Sequence, residues 1–287
     1  MTDITNAILA DLLVVLMIAL PVALGVFALL RRHFPPVLPS GLVVTQPFNA
    51  MDVVVAAILI LHFEMLAFTQ IGTGSPDSPA CLFLAAGGSS NARDISIFVF
   101  QILYSFGLCA LLLVYLKRAR NLDPAMLFGW NRFTFSESIG RAVLMFIPVI
   151  VVMSKVGNYY QSWIEHILGN PAPLQDIAKT FSSTQSDSIR ILIALTAVIT
   201  APVMEEMVFR GFLYPVIKRH TDRWFSLVFT SILFGAIHGN LLGLVPLTLF
   251  AVGLTLAYEW TGCLRVPMLM HATLNSLSLF NLMNEKV

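Results

Sequence analysis

Ala201-Pro202-Val203-Met204-Glu205-Glu206-Met207-Val208-Phe209-Arg210-Gly211 sets two adjacent carboxylates and an arginine inside an otherwise apolar run. How that run is read decides the fold. Downstream stand Phe234-Gly235-Ala236-Ile237-His238 and His271-Ala272-Thr273-Leu274-Asn275, again in apolar surroundings. Ionisable groups in membrane-type segments are costly, so they face a bundle interior or a wet cavity and count as functional candidates. Two carboxylates, an arginine, two histidines and an asparagine in three successive segments therefore make one candidate site.

The rest of the chain agrees with a membrane setting. Of its 287 residues, 57% are hydrophobic and 11% charged, and the mean hydropathy is +0.82. That balance is far from the soluble one and implies a polytopic membrane protein in contact with a lipid bilayer. A net charge of +1 leaves no nucleic-acid footprint. The cysteines (Cys81, Cys109 and Cys263) are scattered, which fits neither a disulfide framework nor a cysteine metal site. The first apolar run has no basic residues before it and is long enough to span, so it reads as a retained helix.

Apolar runs long enough to cross a bilayer, about 20 residues each, fall at 7–30, 50–71, 95–116, 138–157, 189–216, 224–240, 241–259 and 264–283. The expected fold is all-α: one transmembrane domain over 1–287, a bundle of about eight helices, with 189–283 as its core of function. Residues 117–137 read as an aromatic interfacial strip, and 158–188 as a short surface helix and turn. Basic residues set the orientation. Arg31 and Arg32, Lys117 to Arg132, Lys218 to Arg223, and Arg265 fall on alternate connections, which puts both termini outside the cytoplasm. The plasma membrane is the expected location.

The spacing then assigns partners. Helical neighbours point about 100° apart, so Glu205 and Glu206 should not face one pocket. Glu206 and Arg210 stand at i,i+4 and can pair, leaving Glu205 as a free base. The competing reading makes the trio a structural ion-pair knot. His238 is either a packed histidine or a contributor to the Glu205 pocket. His271 and Asn275 share a helical face and suit a developing oxyanion; alternatively, Asn275 bonds a neighbouring helix. His62 and Glu64 do not share a face and read as structural or cavity-lining. Glu259, beside Trp260, reads as an interfacial charge. Counting 1.5 Å per residue, Glu205, His238, His271 and Asn275 all fall in the cytoplasmic half of the bilayer.

Taken in order, Glu205-Glu206-x-x-x-Arg210, Phe234-x-x-x-His238 and His271-x-x-x-Asn275 resemble the signature of the type II CAAX prenyl endopeptidases. These sit within the wider CAAX protease and bacteriocin-processing family of intramembrane peptidases. The resemblance covers roughly the last third of the chain. It implies a glutamate-dependent endopeptidase cutting a peptide or protein near its C-terminus, CAAX-type or otherwise membrane-associated. By position, Glu205 and His238 become the water-activating pair and His271 and Asn275 the oxyanion donors, with Glu206 and Arg210 in support. No cofactor is implied. The alternatives are a zinc peptidase using Glu205, His238 and His271, and a non-enzymatic transporter or immunity-type protein whose buried charges line a pathway.

Overall fold

A computed structural model describes residues 41–72, 90–168, 181, 184 and 186–284. Among these residues the chain forms eight helices and no strand. They are α1 (Ala50–Gly72), α2 (Ser90–Val114, continued by a π turn at Tyr115–Ala119), α3 (Pro124–Leu127), α4 (Phe135–Leu168), α5 (Asp187–His220), α6 (Arg223–Ala236), α7 (Leu241–Thr261) and α8 (Arg265–Asn284). The first apolar run, 7–30, lies outside the described residues.

Local chemistry sets the boundaries. Asp222 accepts from the Trp224 and Phe225 amides at 2.7 and 2.9 Å and starts α6, as an N-cap should. Asn240 does the same for α7 through Leu242 and Gly243. Gly262 ends α7 in the left-handed region, φ +60°, where a residue without Cβ belongs.

Among the described residues four helices are long and apolar enough to cross a membrane: 94–119, 135–167, 187–220 and 241–261. The expected span at 224–240 is shorter than read: α6 has 14 residues, about 21 Å at 1.5 Å each. His238 stands just past its end.

Three further expectations are corrected. Residues 158–168 are no separate surface helix but the continuation of α4, which runs unbroken to Leu168. Nothing in that stretch stops a helix, and Tyr160 ties it to α7 by donating to the Leu241 carbonyl at 2.8 Å. The 117–137 strip is not simply interfacial, because Phe128 is fully buried in the main core. Its carbonyl accepts from the Leu264 amide at 2.9 Å, so the strip docks under α7 and α8. Glu259 is likewise buried and not interfacial. It accepts from Tyr214 at 2.6 Å and Lys218 at 2.5 Å, while Arg223 stands 3.8 Å away. A carboxylate can leave water when cations and hydroxyls replace its hydration shell.

The docking of the strip depends on two left-handed glycines. Gly129 has φ +66°, and a Cβ there would lie 1.8 Å from the Gly262 carbonyl oxygen. Gly129→Ala should therefore lower stability by roughly 1–3 kcal/mol for overpacking, plus about 1–2 kcal/mol for the left-handed backbone. Denaturation of the purified variant in detergent measures it. Wild-type stability would show that the strip does not dock as described.

The large core draws on α1, α2, α3, α5, α6 and α7 through residues such as Phe63, Leu116, Phe128, Phe209, Phe234 and Tyr258. A second core joins α4, α7 and α8 through Phe146, Phe250, Leu254 and Met270. The two meet at α7, and α5 and α8 converge beside it.

Candidate active site

Helix α5 carries the carboxylates between two π turns, Thr196–Thr200 and Phe209–Leu213. Such turns insert an extra residue into the helical ladder, re-aim side chains, and gather at functional sites. The α-helical stretch between them, Ala201–Val208, presents Glu205 and Glu206.

Glu206 is fully buried. Its Oε1 accepts from Arg210 Nη1 at 2.8 Å and from His271 Nδ1 at 2.9 Å. The i,i+4 pair expected from spacing is thus present, and a histidine from α8 joins it. Arg210, 1% exposed, also donates to the Ala251 carbonyl and the Thr255 hydroxyl of α7 at 3.2 and 3.4 Å. Its guanidinium lies 4.6 Å over the Phe234 ring, a cation–π contact in a desolvated place. Thr255 and the Ala251 carbonyl carry no signal in the sequence that marks them as partners of Arg210.

Glu205 differs from Glu206 as expected in being less enclosed, with 17% of its side chain exposed, and in having no ion pair with Arg210. The expectation that the two carboxylates face apart is nevertheless corrected. His271 Nε2 stands 3.9 Å from Glu205 Oε2 while Nδ1 holds Glu206. One imidazole is set between two adjacent residues because its nitrogens lie on opposite sides of the ring. Neighbours on a helix diverge at the backbone, but long side chains can close on a single group from both sides.

Aromatic rings hold that imidazole. Phe234 and Phe250 each meet the His271 ring edge to face, centroids 5.7 Å apart. Phe234 also contacts His238, centroids 4.8 Å apart, so one ring packs against both histidines. His238 Nδ1 bonds the Phe234 carbonyl at 2.7 Å. A carbonyl only accepts, so Nδ1 is the protonated nitrogen and Nε2 is left for other use. No ion pair or hydrogen bond joins His238 to Glu205, unlike His271.

Asn275 is bonded across to α5. Its Nδ2 donates to the Ala197 carbonyl in the first π turn of α5 at 2.7 Å. This is the interhelical bond weighed above, and it ties α8 to α5 where the helical ladder is interrupted. A primary amide has two hydrogens, so one remains. Of the other polar groups, His62 Nε2 bonds the Tyr104 hydroxyl at 2.5 Å, linking α1 to α2. Glu64 is 1% exposed, and neither oxygen has a hydrogen bond among the described residues.

The bundle and its site therefore describe a membrane protein with a buried glutamate–histidine–arginine cluster assembled from α5 and α8, with α6 and α7 packed around it. Residues 187–277 match the family model of the type II CAAX prenyl endopeptidase Rce1-like proteins, and this segment is a domain of that family. It contains Glu205, Glu206, Arg210, His238, His271 and Asn275. No curated protein and no solved structure matches the chain. That family is one of proteases acting on peptide or protein substrates.

Proposed function

We propose that the chain is a glutamate-dependent endopeptidase that hydrolyses a peptide bond near the C-terminus of a membrane-associated substrate. The observation that carries this reading is the His271 ring set between Glu205 and Glu206 beside Arg210. Two carboxylates against one guanidinium leave one negative charge unbalanced, and an uncompensated charge in such a place is costly. A His271 imidazolium balances the cluster. It also presents Nε2–H as a charged donor beside Glu205.

In this scheme Glu205 takes a proton from water, and the hydroxide attacks the scissile carbonyl carbon. The resulting oxyanion accepts from His271 Nε2–H and from the remaining Asn275 amide hydrogen. The proton held by Glu205 passes to the departing amine as the C–N bond breaks. His238, with Nε2 unengaged by Phe234, assists in holding the water. The whole chain, 1–287, acts as one transmembrane domain with 189–283 as its catalytic core.

No cofactor enters this scheme. Glu205, Glu206 and His271 stand together, but the His271 nitrogen facing Glu206 is taken up by a hydrogen bond, and among the described residues no group of three His, Cys, Asp or Glu has a metal-site arrangement. Cleavage should survive a strong chelator, and the purified protein should hold far less than stoichiometric zinc. Bound zinc whose return restores a stripped enzyme would establish the metallopeptidase alternative.

The site opens to the cytoplasmic half of the plasma membrane, with both termini outside. This reading is supported by the gathering of basic residues at one end of the bundle. Arg120 reaches the Pro47 carbonyl at 2.8 Å, and Lys218 the Val43 carbonyl at 3.5 Å. Arg132 reaches the Leu42 carbonyl at 3.4 Å. Cysteines placed at Arg118 and Arg219 should react with impermeant reagent only from the cytoplasmic side, and one at Pro171 only from outside. Labelling at 219 from outside would reverse the topology.

The function itself is tested by incubating the detergent-purified protein with prenylated and unprenylated C-terminal peptides, alongside Glu205→Ala. Cleavage lost in the variant supports the reading, and the preference between the two peptides says whether a lipid anchor is needed. Absence of cleavage by wild type, or equal cleavage by both proteins, rejects it.

A further inference from the structure

We infer that Glu206 is a positioning residue for His271, in addition to being the partner of Arg210. This rests on the peptidase reading only for its catalytic consequence. Glu206 Oε1 already accepts from the Arg210 guanidinium at 2.8 Å, so the oxygen is an acceptor and the His271 Nδ1 that meets it at 2.9 Å must be the donor. That single bond fixes a hydrogen on Nδ1 and the rotation of the ring together. Phe234 and Phe250 close on the ring edge to face and add to its confinement. Nε2 is thereby aimed at Glu205 Oε2, 3.9 Å away.

A structural knot would need only Glu206 and Arg210. The third member changes what the pair does, because both cationic groups draw on the same oxygen while Oε2 of Glu206 has no hydrogen-bond partner. The arrangement resembles a metal site or an acid–base dyad in its logic: a buried carboxylate orients an imidazole whose far nitrogen does the chemistry. Without the carboxylate, the ring is free to turn and Nδ1 loses the acceptor of its hydrogen, so Nε2 is no longer held facing the Glu205 side of the site. Arg210 stands one step further back, since its bonds go to Glu206, Ala251 and Thr255 and it reaches His271 through Glu206.

Nitrogen NMR of protein carrying 15N-labelled histidine tests this directly, with the His271 signals assigned by their loss in His271→Asn. In the wild type, Nδ1 should show a directly bonded hydrogen held in a hydrogen bond. Glu206→Gln should weaken or abolish that signature, whereas Arg210→Gln, which keeps the carboxylate, should retain it. Glu206→Gln should also lower kcat by ~10–100-fold, the usual loss on removing such an orienting partner, with KM little changed. A wild-type His271 bearing hydrogen only on Nε2 overturns the inference, as does a Glu206→Gln spectrum that matches the wild type. Should Glu206→Gln fail to fold, the wild-type spectrum alone decides between these outcomes. A wild type that shows the Nδ1 signature but cleaves no peptide defeats the peptidase reading and leaves the Glu206–His271 placement standing.

Discussion

Replacing Glu205 with glutamine should cut turnover by ~10²–10⁴-fold, the usual worth of a general base, while the protein stays folded. The amide keeps the size and much of the hydrogen bonding of the carboxylate but cannot take a proton from water. Stability should hold because the side chain is partly exposed and has no partner closer than His271 Nε2 at 3.9 Å. A neutral amide is also easier to bury than an unpaired carboxylate. Single-turnover cleavage and a melting temperature on the same preparation give both quantities. A stable, fully active Glu205→Gln protein would remove Glu205 from the chemistry.

Glu206→Gln should show the opposite balance, with a large loss of stability. The site is fully buried, and the substitution leaves Arg210 facing a neutral group in an apolar setting. Breaking a buried pair by removing one partner costs roughly 3–5 kcal/mol, because the surviving charge is left unpaired. Arg210→Gln should cost a similar amount for the mirror reason. The double substitution should cost less than the sum, since the second change removes the charge the first one stranded. Melting temperature and yield in detergent measure all three. A stable but inactive Glu206→Gln beside an unstable but active Glu205→Gln would mean that the two carboxylates exchange roles.

The difference between these neighbours was partly legible in the sequence. Glu206 and Arg210 stand four residues apart on one helix, and that spacing alone brings their side chains together. Spacing also supports a membrane bundle, because about 20 apolar residues in succession have few other uses. The three motifs together pointed to the family domain that residues 187–277 carry.

What joins separate helices was not legible. No periodicity within α5 shows that His271, 65 positions on from Glu206, sets its ring between two adjacent glutamates. Nor does it show that the Asn275 amide is drawn to the Ala197 carbonyl in a π turn. The same holds for Glu259, which beside Trp260 looks like a surface charge yet is buried under Tyr214 and Lys218. Phe128 sits in a stretch of aromatic and basic residues that reads as interfacial, but its ring fills the core. The physical reason is common to all four. Local sequence determines which groups share a helical face, whereas the charge, hydrogen-bond and packing partners that make burial tolerable come from other helices. The sequence alone determined the class of fold and the Glu206–Arg210 pair; only the packing of α5 against α7 and α8 decided which side chains met around that pair.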